Sequence, residues 1–483
     1  MIEKEVLKAK TIKGVKWSGI SQLLVNIFDF TVYALLARIL YPKDFGIFAM
    51  ATVFTGLVAV INQLGLEIAI IQRKDIEEIH LSSTFWFILA FGVVLGLSVS
   101  GSAFILEKYF TNPLVKPILM VLSINFVIND LGFIHFSLLQ RRLEFKKIAL
   151  IETLTIIMGG GASVLMALKG FGVWSLVGGW IGQSFIRVVL SWLLCDWRPE
   201  SIFSFQSVRD LFAFGRHIVG CRIASQISNN IIHLTIGRIY GEYYLGVYSF
   251  AYKLSHIPAD KLSSIIARVA LPVFSSVQED NKTIRHIYRK KVLYLSLLCF
   301  PLLFGLLATT PRFIGIVYGS KWLDAVLPVR IFCFMGLVTC ISTTAGIILR
   351  AKGRPDKELV WTVVWAITLV LSIFGSLQYS LKGVCVALTV STIVLFSYLQ
   401  YMGNRMISLK AKDFFSSLYP AVILSLAMLI VIVVYENLIG HFFKVMSVMG
   451  LFLPVSIGAA VYVGLIRWKY SDLFTEIKAL VRH

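Results

Sequence analysis

"RILYPKDFGIFAMA", residues 38–51, recurs two hundred residues later as "RIYGEYYLGVYSFA", residues 238–251. Arg, Ile, Gly and Ala stand at the same places in both copies. Self-similarity at a fixed offset indicates a duplicated architecture. Because six predicted membrane spans separate the copies, both run in the same direction, as in transporters built from two parallel repeats.

The composition places this duplication in a membrane. Of the 483 residues, 57% are hydrophobic and 15% are charged. Apolar runs of about 18 residues or more, each long enough to cross a bilayer as a helix, recur along the whole chain. We therefore predict an all-α, polytopic membrane protein with about fourteen transmembrane helices. Its second span is predicted near 44–70, its seventh near 211–237 and its eighth near 244–274.

The charge balance predicts the orientation of the chain. Most of the 46 Lys and Arg residues lie in alternate short loops, which predicts that both termini are cytoplasmic. The net charge of +20 does not indicate nucleic-acid binding, because no basic stripe with stacking aromatics lies on a soluble element. The six cysteines form no C-x-x-C pair, and no P-loop or metal motif is present. No cofactor is predicted beyond a coupling H⁺ or Na⁺.

Polar residues follow one face of the first span and recur in its counterpart. The residues are Gln22, Asn26, Asp29 and Tyr33, and at the same offset Arg222, Gln226, Asn229 and His233. Steps of four, three and four keep each set on one helical face. Such residues either join helices by hydrogen bonds or face one another across a water-filled cavity. We favour the cavity, because a carboxylate in a bilayer is costly unless it meets water or a partner.

The eighth span carries an excess of positive charge. Its broad polar face comprises Lys253, His256, Asp260, Lys261, Ser264 and Arg268. Three cations exceed what one carboxylate neutralises, which indicates an anionic substrate, and the Arg fork matches two phosphate oxygens. Four carboxylates are candidate ion-coupling sites, namely Asp29, Glu67 and Asp130, which we expect to be buried, and Asp260. The open alternative is a salt bridge to a cavity Arg for the first three and a neutralised pair with Lys261 for Asp260.

Several motifs together resemble the Wzx-type polysaccharide flippases of the multidrug/oligosaccharidyl-lipid/polysaccharide (MOP) exporter superfamily, in the colanic-acid-exporter branch. They include "LARILYPKDFGIFAMA", "LGLEIAIIQRKDI", "LLQRRLEFKKIALIET", "IGRIYGEYYLGVYSFAYKL" and "RVALPVFSSVQEDN". The resemblance implies two pseudo-symmetric six-helix bundles in a V around a central cavity, with two extra C-terminal helices. We expect these parts over 1–208, 209–404 and 405–483.

The resemblance also implies translocation of an undecaprenyl-diphosphate-linked oligosaccharide across the bacterial inner membrane. We expect Arg222, Lys253 and Arg268 to bind the diphosphate. The sugars would contact the polar residues Gln22, Asn26, Gln226, Asn229 and His256. Membrane lipids and other polysaccharide-assembly proteins are further expected partners.

Three other functions stay open from the sequence. A multidrug antiporter on the same fold would favour an acidic cavity, whereas this one reads as basic. A polymerase or ligase of lipid-linked glycans needs a sizeable outward loop, and the predicted outward loops are short, so we expect no enzyme activity. A scaffold for glycan assembly would leave the matched polar faces unexplained.

Overall fold

The computed structural model describes residues 22, 24–63, 66–73, 75–276, 280–438 and 448–471, which are helical apart from short connections and contain no β-strand. In chain order the helices are α1 (24–39), α2 (Pro42–Gln63), α3 (Leu66–Gln72), α4 (Glu78–Phe110), α5 (Val115–Arg141), α6 (Phe145–Leu168), α7 (Val173–Leu194), α8 (Phe205–Ser276), α9 (Asn281–Phe313), α10 (Val326–Ala351), α11 (Pro355–Ser376), α12 (Ser380–Met406), α13 (Ala411–Leu438) and α14 (Val448–Lys469). One-turn helices at Ile314–Tyr318, Ser320–Ala325 and Leu377–Tyr379 connect some of them.

The prediction of an all-α, polytopic membrane protein is confirmed. Within the described ranges, 9 helical segments are long and apolar enough to cross a membrane. The helix boundaries differ from the predicted spans at one place, where the predicted span 44–70 is divided between α2 and α3. The predicted seventh and eighth spans lie within α8 on either side of a break. That helix is broken at Gly241 (φ 81°, ψ 179°), a conformation that glycine adopts without steric cost.

Helix packing divides the chain into two compact units, Met1–Gly246 and Val247–His483. In the first unit α4 packs on α5, α6 on α7, and α2 against α5. In the second unit α10 packs on both α9 and α12. The predicted boundaries after residues 208 and 404 stay predictions.

The last two helices join the second unit through α9. The Tyr462 hydroxyl of α14 donates a hydrogen bond to the Leu297 carbonyl oxygen at 2.8 Å. Arg312 Nε of α9 lies 2.7 Å from Glu436 Oε2 of α13. Because the Arg312 side chain is largely buried, loss of Glu436 would leave a charge away from water, which typically costs about 3–5 kcal/mol.

The duplicated segments meet each other in the first unit. A Cβ built on Gly46 would overlap the carbonyl oxygen of Glu242, and a Cβ built on Gly246 would overlap the carbonyl oxygen of Pro42. The four residues form two pairs related by the same offset of 200. Only glycine permits backbone to approach backbone this closely. The repeat detected in the sequence is therefore a reciprocal contact in the fold.

We predict that Gly46→Ala and Gly246→Ala each lower the apparent melting temperature of the purified protein. The obstructing atoms are backbone carbonyls, which cannot rotate aside, so an overpacking cost of about 1–3 kcal/mol is expected. Gly101→Ala and Gly161→Ala are matched controls, because nothing lies within 4 Å of a Cβ at either position. Equal melting temperatures for all four variants would contradict the close crossing.

Candidate functional site

A polar cavity of about 380 Å³ lies inside the first unit, between α2, α3, α5, α6 and α7. Its walls combine apolar residues with amides, hydroxyls and three ionisable groups. The polar lining residues are Thr55, Asn62, Glu67, Asn125, Asn129, Asp130, Ser137, Thr155, Gln183, Ser184 and Arg187. So many polar side chains within apolar helices are costly unless they have a functional or pairing role.

Asp130 is the most deeply buried carboxylate of this cavity, with 3% of its surface exposed. Its Oδ1 atom accepts a hydrogen bond of 2.7 Å from Asn62 Nδ2 of α2. Its Oδ2 atom lies against Gly92 of α4, where a Cβ would overlap it. No described donor reaches this Oδ2 atom. A buried carboxylate with one unsatisfied oxygen is a strong acceptor for a proton or a cation.

Two neutral oxygens add to this acceptor character. The side-chain oxygens of Asn62 and Asn125 are buried and have no donor among the described residues. Both side chains line the same cavity as Asp130. Buried polar groups are normally hydrogen-bonded, so the cavity offers unused oxygen ligands. Carboxylate and carbonyl oxygens bind hard cations and also accept hydrogen bonds from water.

The other two charged groups of the cavity lie nearer its opening. Glu67 is half-buried in the first turn of α3, and Arg187 of α7 is exposed. The Arg187 guanidinium lies 5.6 Å from the centre of the Phe136 ring. Neither residue forms an ion pair with a described residue. Two carboxyl groups and one guanidinium are the ionisable groups of this cavity. The basic cavity expected from the sequence is lined by other residues, Arg222, Lys253 and Arg268, and stays a prediction.

The first predicted polar face lies on α1. Gln22 Nε2 donates to Asn26 Oδ1 at 3.5 Å, and both side chains are half-buried. Asp29 is exposed, which corrects the expectation that its carboxylate is buried. The reason is that residues 27–31 are all exposed, so this turn of α1 packs little against the first unit. That this polar face lines a substrate path stays a prediction.

Its counterpart on α8 makes helix-joining hydrogen bonds. Gln226 Nε2 donates to Asn230 Oδ1 at 3.2 Å, and Asn230 Nδ2 donates to the Val53 carbonyl oxygen of α2 at 2.8 Å. The Gln226 amide also packs against Gly56, which lines the polar cavity. The hydrogen bond between helices is thus made by Asn230, whereas Gln226 bonds within α8 and contacts α2 only by packing. The side chains of Arg222 and Asn229 lie outside the described part of the chain.

The charged residues of the eighth predicted span are divided between surface and core. Lys253 and Asp260 are exposed, whereas His256 is buried in the second unit. The His256 ring stacks on Tyr252 at 4.0 Å, and its Nδ1 atom lies 3.0 Å from the Tyr252 carbonyl oxygen. His256 therefore does not share the exposed face with Lys253, although the two lie only about 60° apart on the helix, because its ring packs against Tyr252. The Arg268 side chain is outside the described residues.

Sequence reasoning missed several residues that complete the cavity. Gln183 and Ser184 of α7 and Thr155 of α6 line it, and Gly92 makes room for Asp130. Gln183 is the one amide in the mostly apolar segment "VWSLVGGWIGQSFIRVV", four residues before Arg187, and is a signal that this reasoning passed over. Gly92 carries no signal, since its role depends on which α5 side chain lies opposite.

The comparison with known protein sequences identifies related proteins of polysaccharide assembly. A family model described as "Polysaccharide biosynthesis protein" matches residues 35–327. The chain is 30% identical over 360 residues to the lipopolysaccharide biosynthesis protein WzxC of Escherichia coli (strain K12), spanning 74% of this chain and 73% of that protein. It is 27% identical over 485 residues to the succinoglycan biosynthesis transport protein ExoT of Rhizobium meliloti (strain 1021), spanning 99% and 97%.

Solved structures share the fold. The lipid II flippase MurJ in an inward closed conformation matches with a TM-score of 0.77 at 16% identity, over 96% of this chain and all of that chain. An inward-facing multidrug resistance MATE family transporter of the MOP superfamily matches with a TM-score of 0.65 at 15% identity, over 80% and 94%. At such low identities the structural similarity establishes the MOP fold but does not identify a substrate.

The pairing of Asp130 with Asn62 predicts opposite effects of two substitutions on stability. Asn62→Ala removes the donor and should cost about 1–3 kcal/mol, since it leaves a buried carboxylate unpaired. Asp130→Asn removes the buried charge and should leave the melting temperature unchanged or higher. The measurement is thermal unfolding of both single variants and of the double variant. A loss for Asn62→Ala that persists fully in the Asp130→Asn background would contradict the pairing.

Proposed function

The chain belongs to the polysaccharide biosynthesis protein family, and from this premise we propose that it is a flippase for a lipid-linked oligosaccharide. It carries an undecaprenyl-diphosphate-linked oligosaccharide from the cytoplasmic to the outer leaflet by alternating access, for surface polysaccharide biosynthesis. The observation that carries this proposal is similarity over 99% of the chain to a protein named for transport in succinoglycan biosynthesis.

The chemistry of the substrate explains why such a protein is needed. The free energy needed to transfer sugar hydroxyls and a diphosphate through hydrocarbon is prohibitive, whereas the polyprenyl chain is itself apolar and dissolves in it. A polar path for the head group must therefore lie inside the protein. We assign the diphosphate to Arg222, Lys253 and Arg268. The sugars contact Gln22, Asn26, Gln226, Asn229 and His256 in at least one state of the cycle.

Because Gln226 and His256 are engaged in the present structure, their proposed role requires a rearrangement. Gln226 must exchange its bond to Asn230 for one to a sugar. His256 must leave its stack on Tyr252. The Lys253 side chain is exposed.

We further propose that ion binding drives the cycle and that Asp130 is the foremost of the four candidate carboxylates. Its unsatisfied Oδ2 atom and the two free amide oxygens near it would be stabilised by H⁺ or Na⁺. Glu67 shares the cavity, whereas Asp29 and Asp260 are exposed. An ion that binds one conformational state better than the other shifts the equilibrium by that difference in affinity.

The charge distribution supports the proposed location and orientation of the protein in the membrane. The excess of Lys and Arg in alternate loops supports an inner-membrane protein with both termini in the cytoplasm. There the substrate is made and polysaccharide-assembly proteins are available as partners. The alternative of a multidrug antiporter shares the fold, but the near-full-length relative ExoT is named for succinoglycan biosynthesis and not for drugs.

We predict that Arg222→Ala, Lys253→Ala and Arg268→Ala each reduce surface polysaccharide by about tenfold or more, because a lost charge-assisted contact to phosphate is worth about 1.5–3 kcal/mol. The assay is polysaccharide per cell at equal membrane levels of each variant, in a strain lacking its own exporter. Lys412→Ala is the control, since Lys412 is equally cationic and exposed at the start of α13. Wild-type export by all three variants would remove the proposed diphosphate site.

We predict that Asp130→Asn uncouples substrate movement from the ion gradient, because a neutral amide neither binds a proton nor attracts Na⁺. In everted membrane vesicles, substrate should dissipate the proton or sodium gradient with the wild-type protein and not with the variant. Asp29→Asn and Asp260→Asn serve as matched controls of the same chemistry. Unchanged dissipation by Asp130→Asn, with loss in a control, would transfer the role to that control residue.

A further inference from the structure

A groove of about 950 Å³ lies between α11 and α12 of the second unit. We call it the α11–α12 groove and define it by Lys357, Val360 and Val364 of α11 and Tyr398, Tyr401 and Arg405 of α12. On each helix these positions are spaced i, i+3 and i+7, so each helix contributes one continuous stripe. The groove is remote in sequence from the polar cavity of the first unit and has no part in the function proposed above.

The mouth of the groove carries uncompensated positive charge. The Asp356 carboxylate lines the groove and Glu358 follows two residues later in α11, and each already has a cationic partner. Asp356 accepts from Arg354 Nη2 at 2.9 Å, and Glu358 Oε2 lies 3.2 Å from Arg350 Nε. Lys357 and Arg405 form no ion pair within the described ranges. The mouth therefore presents two cations to whatever occupies it.

Below the mouth the groove becomes apolar while staying open. Val360 and Val364 are 64% and 44% exposed, and Tyr398 and Tyr401 are 55% and 58% exposed. Trp361 donates its Nε1 proton to the Leu395 carbonyl oxygen at 3.0 Å, which fixes its indole between the two helices. Aromatic residues at the end of a span mark the depth of lipid head groups. The occupant thus needs an anionic head and a hydrocarbon chain.

We propose that the α11–α12 groove binds an anionic phospholipid of the surrounding bilayer. Lys357 and Arg405 hold its phosphate, and one acyl chain lies against Val360 and Val364. Basic pockets between membrane helices at the head-group level are typical sites for such lipids. Among the described residues, the lining of the groove contains no Asn, Gln, Ser or Thr, so it lacks the side-chain amides that a glycan head group would engage, and the hydroxyls it offers are those of Tyr398 and Tyr401. An open groove of this kind also favours an abundant ligand over a scarce one by mass action.

The test is native mass spectrometry of the full-length protein titrated with phosphatidylglycerol or phosphatidylcholine. The wild-type protein should retain phosphatidylglycerol in preference. Lys357→Gln with Arg405→Gln should weaken that binding by roughly 25-fold, about fivefold for each cation near a lipid phosphate. Lys410→Gln with Lys412→Gln makes the same charge change outside the groove lining and should leave binding near the wild-type level.

A second variant tests the acyl-chain contact without altering charge. Val364→Trp fills the apolar part of the groove and should also lower retention of phosphatidylglycerol, which keeps the proposal testable if the double charge variant fails to fold. If both double charge variants lost phosphatidylglycerol binding equally, the lipid would be held by diffuse electrostatic attraction to the protein surface, and the proposal would be overturned. If an equal concentration of undecaprenyl phosphate displaced phosphatidylglycerol from the wild-type protein but not from the Val364→Trp variant, the groove would be a site for the transported lipid. That result would overturn the proposal. Neither outcome depends on whether the protein flips glycans.

Discussion

The crossing of the duplicated segments at Gly46 and Gly246 is the contact on which the first unit depends. Each glycine faces the carbonyl oxygen of the residue four positions before the other, so the contact is reciprocal. Backbone dipoles and van der Waals packing replace the hydrophobic effect, which does not drive association between helices within lipid. The same α2 that begins at this crossing supplies Thr55, Gly56 and Asn62 to the polar cavity. Displacement of the crossing would therefore displace the donor that holds Asp130.

The polar cavity of the first unit is only partly satisfied by hydrogen bonds. A membrane protein pays heavily for each buried polar group, and the first unit buries several around Asp130. Asn62 satisfies one carboxylate oxygen, while the other oxygen and two amide oxygens have no donor among the residues that the structure describes. Such incomplete pairing is a poor design for stability alone. It is well suited to a site that alternates between an ion-bound and an ion-free state.

Much of the fold could be predicted from the sequence, because helix length and apolar composition are local properties. The repeat was visible too, since Gly46 and Gly246 must stay glycine for their backbones to meet. The orientation of individual side chains was less accessible. His256 and Lys253 lie close on a helical wheel, yet only packing against Tyr252 determines that His256 is buried. Gln226 likewise could join helices or face water; it bonds to Asn230 one turn along α8, and Asn230 is held in turn by the Val53 carbonyl oxygen from a distant part of the chain.

The central claim is that this protein moves a lipid-linked glycan between leaflets. It is tested most directly by reconstituting the purified chain into vesicles with a fluorescently labelled polyprenyl-diphosphate oligosaccharide and following the fraction of label that a membrane-impermeant reductant bleaches. In symmetric vesicles about half of the label lies in the outer leaflet and is bleached at once. If the protein flips the lipid, the bleached fraction then rises toward completion at a rate set by the protein. Bleaching that stops at the level of protein-free vesicles, while the same vesicles transport a cationic drug, would contradict the account.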